Sequence, residues 1–144
     1  MRSFVGVAAV LGVLTASCGW MDASAWAADP APAAGKVYEL RVYKCNPGKL
    51  DALQARFRDH TCKLFEKHGM EMIGFWTPTT GDEAQDTLIY ILAFPSVEAQ
   101  KKAWAAFRAD AEWIKAKGES EKSGVLVKEV QTKNLQPTDY STLK

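Results

Sequence analysis

The chain has 144 residues, enough for one domain and a short extension, and is 47% apolar and 24% charged, the balance of a soluble globular fold and not of a disordered one. Eighteen Lys and Arg stand against seventeen Asp and Glu, with no basic cluster, which argues against nucleic acid as a partner.

Residues 1–27 differ in composition from the rest. Arg2 precedes an apolar run over 4–16, and small residues close on Ala25-Trp26-Ala27. That order predicts a secretory signal peptide cleaved after Ala27 or one residue later, because the run is too short to cross the ~30 Å hydrocarbon core of a membrane. The expected destination is the periplasm or the medium, with no membrane span. Cys18, after Leu14-Thr15-Ala16-Ser17, offers a lipid anchor as the second reading, ranked lower because Thr15 stands where a lipoprotein signal carries an aliphatic residue. Residues 28–35, rich in Pro and Ala, read as an extended linker.

The domain proper is expected over 36–135. Residues 36–44 alternate, with Tyr38, Leu40 and Val42 on one face and Glu39, Arg41 and Tyr43 on the other. The apolar row is expected to meet the helices. Asn46-Pro47-Gly48 is a turn. A helix from Lys49 or Leu50 carries Leu50, Leu53, Phe57, His60 or Thr61, and Leu64 on its core stripe, and Lys67-His68-Gly69 stops it. A second strand over 70–77 ends at Pro78, and a polar loop leads to a third, over 87–94, that is apolar on both faces and therefore central. Ser96 is the expected N-cap of a second helix and Asp110 of a further helical segment ending near Gly118 or Gly124. A fourth strand, 125–133, has the polarity of an edge, and 136–144 is a polar tail.

The order β-α-β-β-α-β is the ferredoxin-like plan, an α+β class with helices on one face of a four-stranded sheet, strands 1 and 3 central. Two helices cover one face only. The other row of the third strand would then lie bare, so a second copy is expected to cover it, making a homodimeric barrel wide enough for side chains or one small ligand.

Cys45 and Cys62 fall roughly 20 Å apart along the first helix, beyond the ~7 Å between bridged Cα atoms, so no disulfide is expected. No Cys/His spacing suggests a metal site.

Several separated motifs carry a resemblance: Tyr-Glu-Leu-Arg-Val-Tyr (38–43), Pro-Gly-Lys (47–49), His68-Gly69, Gly-Phe-Trp (74–76), Trp104 with Phe107, Asp110 with Glu112-Trp113, and Pro-Thr-Asp-Tyr (137–140). Together they resemble the NIPSNAP family. The resemblance implies the dimeric α/β-barrel superfamily, which includes cofactor-free monooxygenases and haem-degrading enzymes. It names no settled activity.

Candidate site residues follow from position. Glu39, Arg41 and Tyr43, if they line the barrel, make a polar cluster suited to a small ligand, and otherwise Glu39 and Arg41 are a mutually satisfied buried pair. His60 is either a base or binding group or a core histidine. His68 reads more simply as a helix cap. Trp76, Trp104, Phe107 and Trp113 are a stacking box or, more simply, core. The reading is an exported homodimer binding a small apolar or aromatic molecule, with Glu39, Arg41, Tyr43, His60 and Trp76 as ligand residues. The alternative is a cofactor-free oxygenase or isomerase in which His60 or Tyr43 accepts a proton and Arg41 stabilises an anion. A structural or interaction module with a filled barrel is the third. No cofactor is required, though a haem or other small ligand stays open.

Overall fold

The computed structural model describes residues 35–143, so the expected signal peptide and nearly all of the linker lie outside the described residues. Strand β1 (Val37–Cys45) is followed by α1 (Leu50–Arg56), a π-helical turn (Phe57–Thr61) and α2 (Cys62–Lys67), which continue one another as a single rod. Then come β2 (Glu71–Trp76), a 3-10 turn (Asp82–Gln85), β3 (Thr87–Phe94), α3 (Val97–Ala109), α4 (Ala111–Ser120) and β4 (Val127–Leu135). The sheet runs β2-β3-β1-β4 with every pair antiparallel, the ferredoxin-like arrangement with β1 and β3 inside.

Local chemistry accounts for most boundaries. Ser96 Oγ accepts the Ala99 amide at 3.1 Å and Asp110 Oδ1 accepts the Glu112 amide at 2.8 Å, so both expected N-caps satisfy amides that the first turn leaves unpaired. Gly69 ends the first rod at φ +69°, a left-handed conformation that costs an L side chain more than it costs glycine. Gly74 serves a close approach: a Cβ there would lie 2.6 Å from the Trp76 indole, which lies across the glycine. Gly118 does not end α4, which continues to Ser120.

Register decides which faces are which. Glu39 lies opposite Leu92, Arg41 opposite Tyr90 and Tyr43 opposite Leu88, so these six side chains share a face. That face carries the helices, for Leu88, Tyr90, Leu92 and Phe94 enter the core with Leu53, Leu64, Phe65, Trp104 and Phe107. The expected orientation of β1 is therefore reversed. Its polar row lies under the helices, and the apolar row Leu40 and Val42 lies on the outer face with Ile89 and Ile91, half-buried. An alternating strand can present either row, and β1 buries the polar one because α3 supplies donors for it. The outer face keeps the apolar character that the third strand's double-sided pattern implied. One corner is covered: Pro137, Thr138, Ser141 and Leu143 of the tail share a hollow with Tyr38 and Ile91.

Candidate functional site

Glu39 is the centre of a buried polar network. Its Oε2 accepts Trp104 Nε1–H at 2.5 Å and Gln100 Nε2–H at 2.7 Å, while Arg41 Nη1 stands 3.4 Å from its Oε1. Gln100 also exchanges bonds with Asn134 of β4, donating to Oδ1 at 2.8 Å and accepting from Nδ2 at 3.2 Å. Both donors to Glu39 lie four residues apart on α3, which places them on one face of that helix. The Arg41 guanidinium lies 4.2 Å from the Trp104 ring centroid and 5.5 Å from that of Tyr43, within cation–π range. The carboxylate is thus shared among β1 and α3, and through Gln100 with β4. Held this way it anchors α3 to the sheet.

Beside this network lies an aromatic cluster. Tyr90, fully buried, stacks on Phe75 with centroids 5.5 Å apart and meets Tyr43 and Phe57 edge-on at 5.3 Å each. Its hydroxyl has no hydrogen-bond partner of good geometry among the described residues. Burial first, and Tyr43 second, push its pKa well above the ordinary phenol value. It stays protonated.

Phe57 and Phe75 also form part of a groove of about 330 Å³ at the free edge of the sheet, between the first helical rod and β2. Leu88 and Trp76 add apolar surface; Gln54, Arg58, Cys62 and Thr77 complete the lining, which contains one cation and no carboxylate. A volume just above 300 Å³ with predominantly aromatic walls and a few polar groups suits a small molecule. The π-helical turn shapes one wall. The Cys62 amide bonds the Phe57 carbonyl five residues back, and Thr61 Oγ1 donates to the Arg56 carbonyl at 3.2 Å. Such single π turns are often found at functional sites.

A second groove, about 480 Å³, lies between the first rod and α4, lined by Asp59, His60, Lys63, Leu64, Lys67, Glu112, Lys115, Ala116 and Glu119. Its three carboxylates face three ammonium groups and little of it is apolar. It has the character of a solvated valley between helices.

The predicted site residues therefore divide three ways. Glu39, Arg41 and Tyr43 stand together under the helices. His60 is exposed on the opposite flank of the rod and does not join them: the π turn inserts a residue, so Thr61 takes the buried place on the stripe and His60 turns outward. Trp76 is half exposed at the groove's rim. Trp104 and Phe107 are core, and Trp113 packs against it. His68 sits at the end of α2 as expected, and its Nε2 lies 2.8 Å from Asp110 Oδ2, tying that rod to the cap of α4. Arg58, Gln54 and Phe75 went unnoticed in the sequence because a π turn has no composition that marks it. The only available sign was a cationic residue next to Phe57.

The geometry and the motifs converge with a family match: the NIPSNAP family model aligns with residues 38–142. The chain belongs to the NIPSNAP family. Its fold is shared with a NIPSNAP family protein with unknown function from Agrobacterium tumefaciens, at 21% identity and a TM-score of 0.67, covering 78% of this chain and 96% of that one. A second NIPSNAP family protein from the same organism gives 19% identity and a TM-score of 0.67, covering 76% and 99%. A NIPSNAP-like domain protein from Burkholderia xenovorans gives 18% and 0.65, covering 75% and 90%. No curated protein matches. Within this NIPSNAP domain Cys45 and Cys62 are free thiols, and among the described residues no group of three or more His, Cys, Asp or Glu side chains is arranged to hold a metal ion. No helix among them is long and apolar enough to cross a membrane.

Proposed function

We propose that this NIPSNAP protein is an exported homodimer that binds a small apolar or aromatic molecule. The observation that carries the ligand is the groove of about 330 Å³ walled by Phe57, Phe75, Trp76 and Leu88. Apolar surface of that kind, left concave and reachable, gains free energy when a ligand displaces its water, at roughly 25 cal/mol per Å² covered. The dimer is supported by the outer face, where Leu40, Val42, Ile89 and Ile91 form a half-buried apolar row that a second sheet would complete. Export rests on the sequence of residues 1–27. The oxygenase or isomerase reading has less support, since His60 stands apart from Arg41 and Tyr43, and Arg41 is engaged by Glu39 and Trp104.

Native mass spectrometry of the protein recovered from the exporting cell tests all three parts. The expected result is a dimer beginning at Ala28 or Asp29 that carries additional small-molecule mass, lost from a Phe75→Glu variant. A monomer would sink the dimer, and an unprocessed N-terminus would sink export. Dimers of wild type and variant with the same mass behaviour would sink the groove as the ligand's place.

A further inference from the structure

The groove has an electrostatic bias that the apolar reading alone does not use. Arg58 lines it, is exposed, and makes no ion pair among the described residues; its one hydrogen bond is from Nη2 to Gln54 Oε1 at 3.4 Å, long and to a neutral acceptor. Every other arginine near the core is engaged. Arg41 has Glu39, and Arg56 has Glu121 at 3.1 Å with Trp113 beneath it. The valley beside α4 shows the contrast, because there cations and carboxylates alternate and leave no net preference.

We propose that the groove selects a monocarboxylate: a ligand with an aromatic or aliphatic body lying between Phe57, Phe75, Trp76 and Leu88, its carboxylate taken by Arg58 beside Gln54. This rests on the ligand reading above and adds to it the chemical class. A guanidinium offers a planar pair of donors matched to a carboxylate's two oxygens. One cation, with no second base and no row of backbone amides, is matched to a single negative charge and not to a phosphate dianion. The small volume limits the body to one ring or a short chain. Gln54 would relinquish a weak bond with Arg58 and donate its amide to the same carboxylate.

The test compares 4-phenylbutanoate with its uncharged counterpart 4-phenylbutan-1-ol on protein purified from the exporting cell. Affinity is read by calorimetry and location by protection of Cys62 from a thiol reagent. Cys62 lines the groove and is partly exposed, whereas Cys45 is fully buried, so labelling assigned by peptide mass to Cys62 reports this site. Both compounds should protect Cys62. The carboxylate should bind about three- to fivefold more tightly at low salt, the range of an exposed ion pair, and the preference should narrow as salt screens it. Arg58→Gln should bring the ratio to about one while leaving the alcohol's affinity unchanged, and Arg58→Lys should restore part of it, the surface position making both variants safe for folding. Equal binding of acid and alcohol by the wild type would overturn the carboxylate assignment and leave the apolar groove standing. A preference that survives Arg58→Gln would overturn it as well. Failure of either compound to protect Cys62 at millimolar concentration would overturn the groove itself.

Discussion

Replacing Glu39 by Gln tests the claim that the buried network holds α3 to the sheet. The side chain is only 3% exposed and accepts from Trp104 and Gln100 on one oxygen, with Arg41 at the other. An amide of the same shape can keep its oxygen toward the two donors, but its NH₂ then faces the Arg41 Nη1, donor against donor. Turned over, it meets Trp104 and Gln100 with the wrong group. In either orientation Arg41, whose Nε is already without a partner, loses its counter-charge. Breaking a buried pair from one side costs about 3–5 kcal/mol; the Arg41 side chain retains 16% exposure, which favours the lower end, about 3 kcal/mol. For a domain of this size that corresponds to a Tm lower by on the order of 12 °C. Urea titration followed by tryptophan fluorescence, at one fixed protomer concentration, should show a lower midpoint with an unchanged slope. Adding Arg41→Met to Glu39→Gln should cost less than the sum of the two single changes, by about 1 kcal/mol or more. A Glu39→Gln protein within about 0.5 kcal/mol of wild type would refute the network as an anchor.

Two further outcomes follow from local geometry. Gly69→Ala should destabilise by about 1–2 kcal/mol through backbone strain alone, because φ is +69° and a methyl there meets nothing within 4 Å; an unchanged melting temperature would contradict the left-handed stop. Asp110 has its pKa lowered to about 2 by the Lys67 ammonium first, then by the Glu112 amide and the His68 ring. A carboxyl held below its unfolded value stabilises the fold at pH above about 4 and loses that contribution as pH falls towards about 2. Asp110→Asn, which keeps a capping oxygen, should therefore be less stable than wild type above pH 4 and approach it near pH 2. Unfolding curves of the two proteins that run parallel across that window would show that the charge contributes nothing.

What the sequence determined by itself is what short stretches of chain decide. The order of elements, the caps at Ser96 and Asp110, the stop at Gly69 and the central place of β3 all depend on residues within a few positions of one another, and they stand in the structure as read. The separated motifs were likewise sufficient to name the family. Tertiary structure decided the rest. Which row of β1 lies beneath the helices depends on Gln100 and Trp104, 61 and 65 positions from Glu39, and an alternating strand carries no trace of donors so far away. The π turn moved His60 off the core stripe and brought Arg58 to the groove, because one inserted residue rotates everything after it by about 100°. A binding surface assembled from a helix and a strand edge has no periodicity of its own, and only the packing of the two brings it into being.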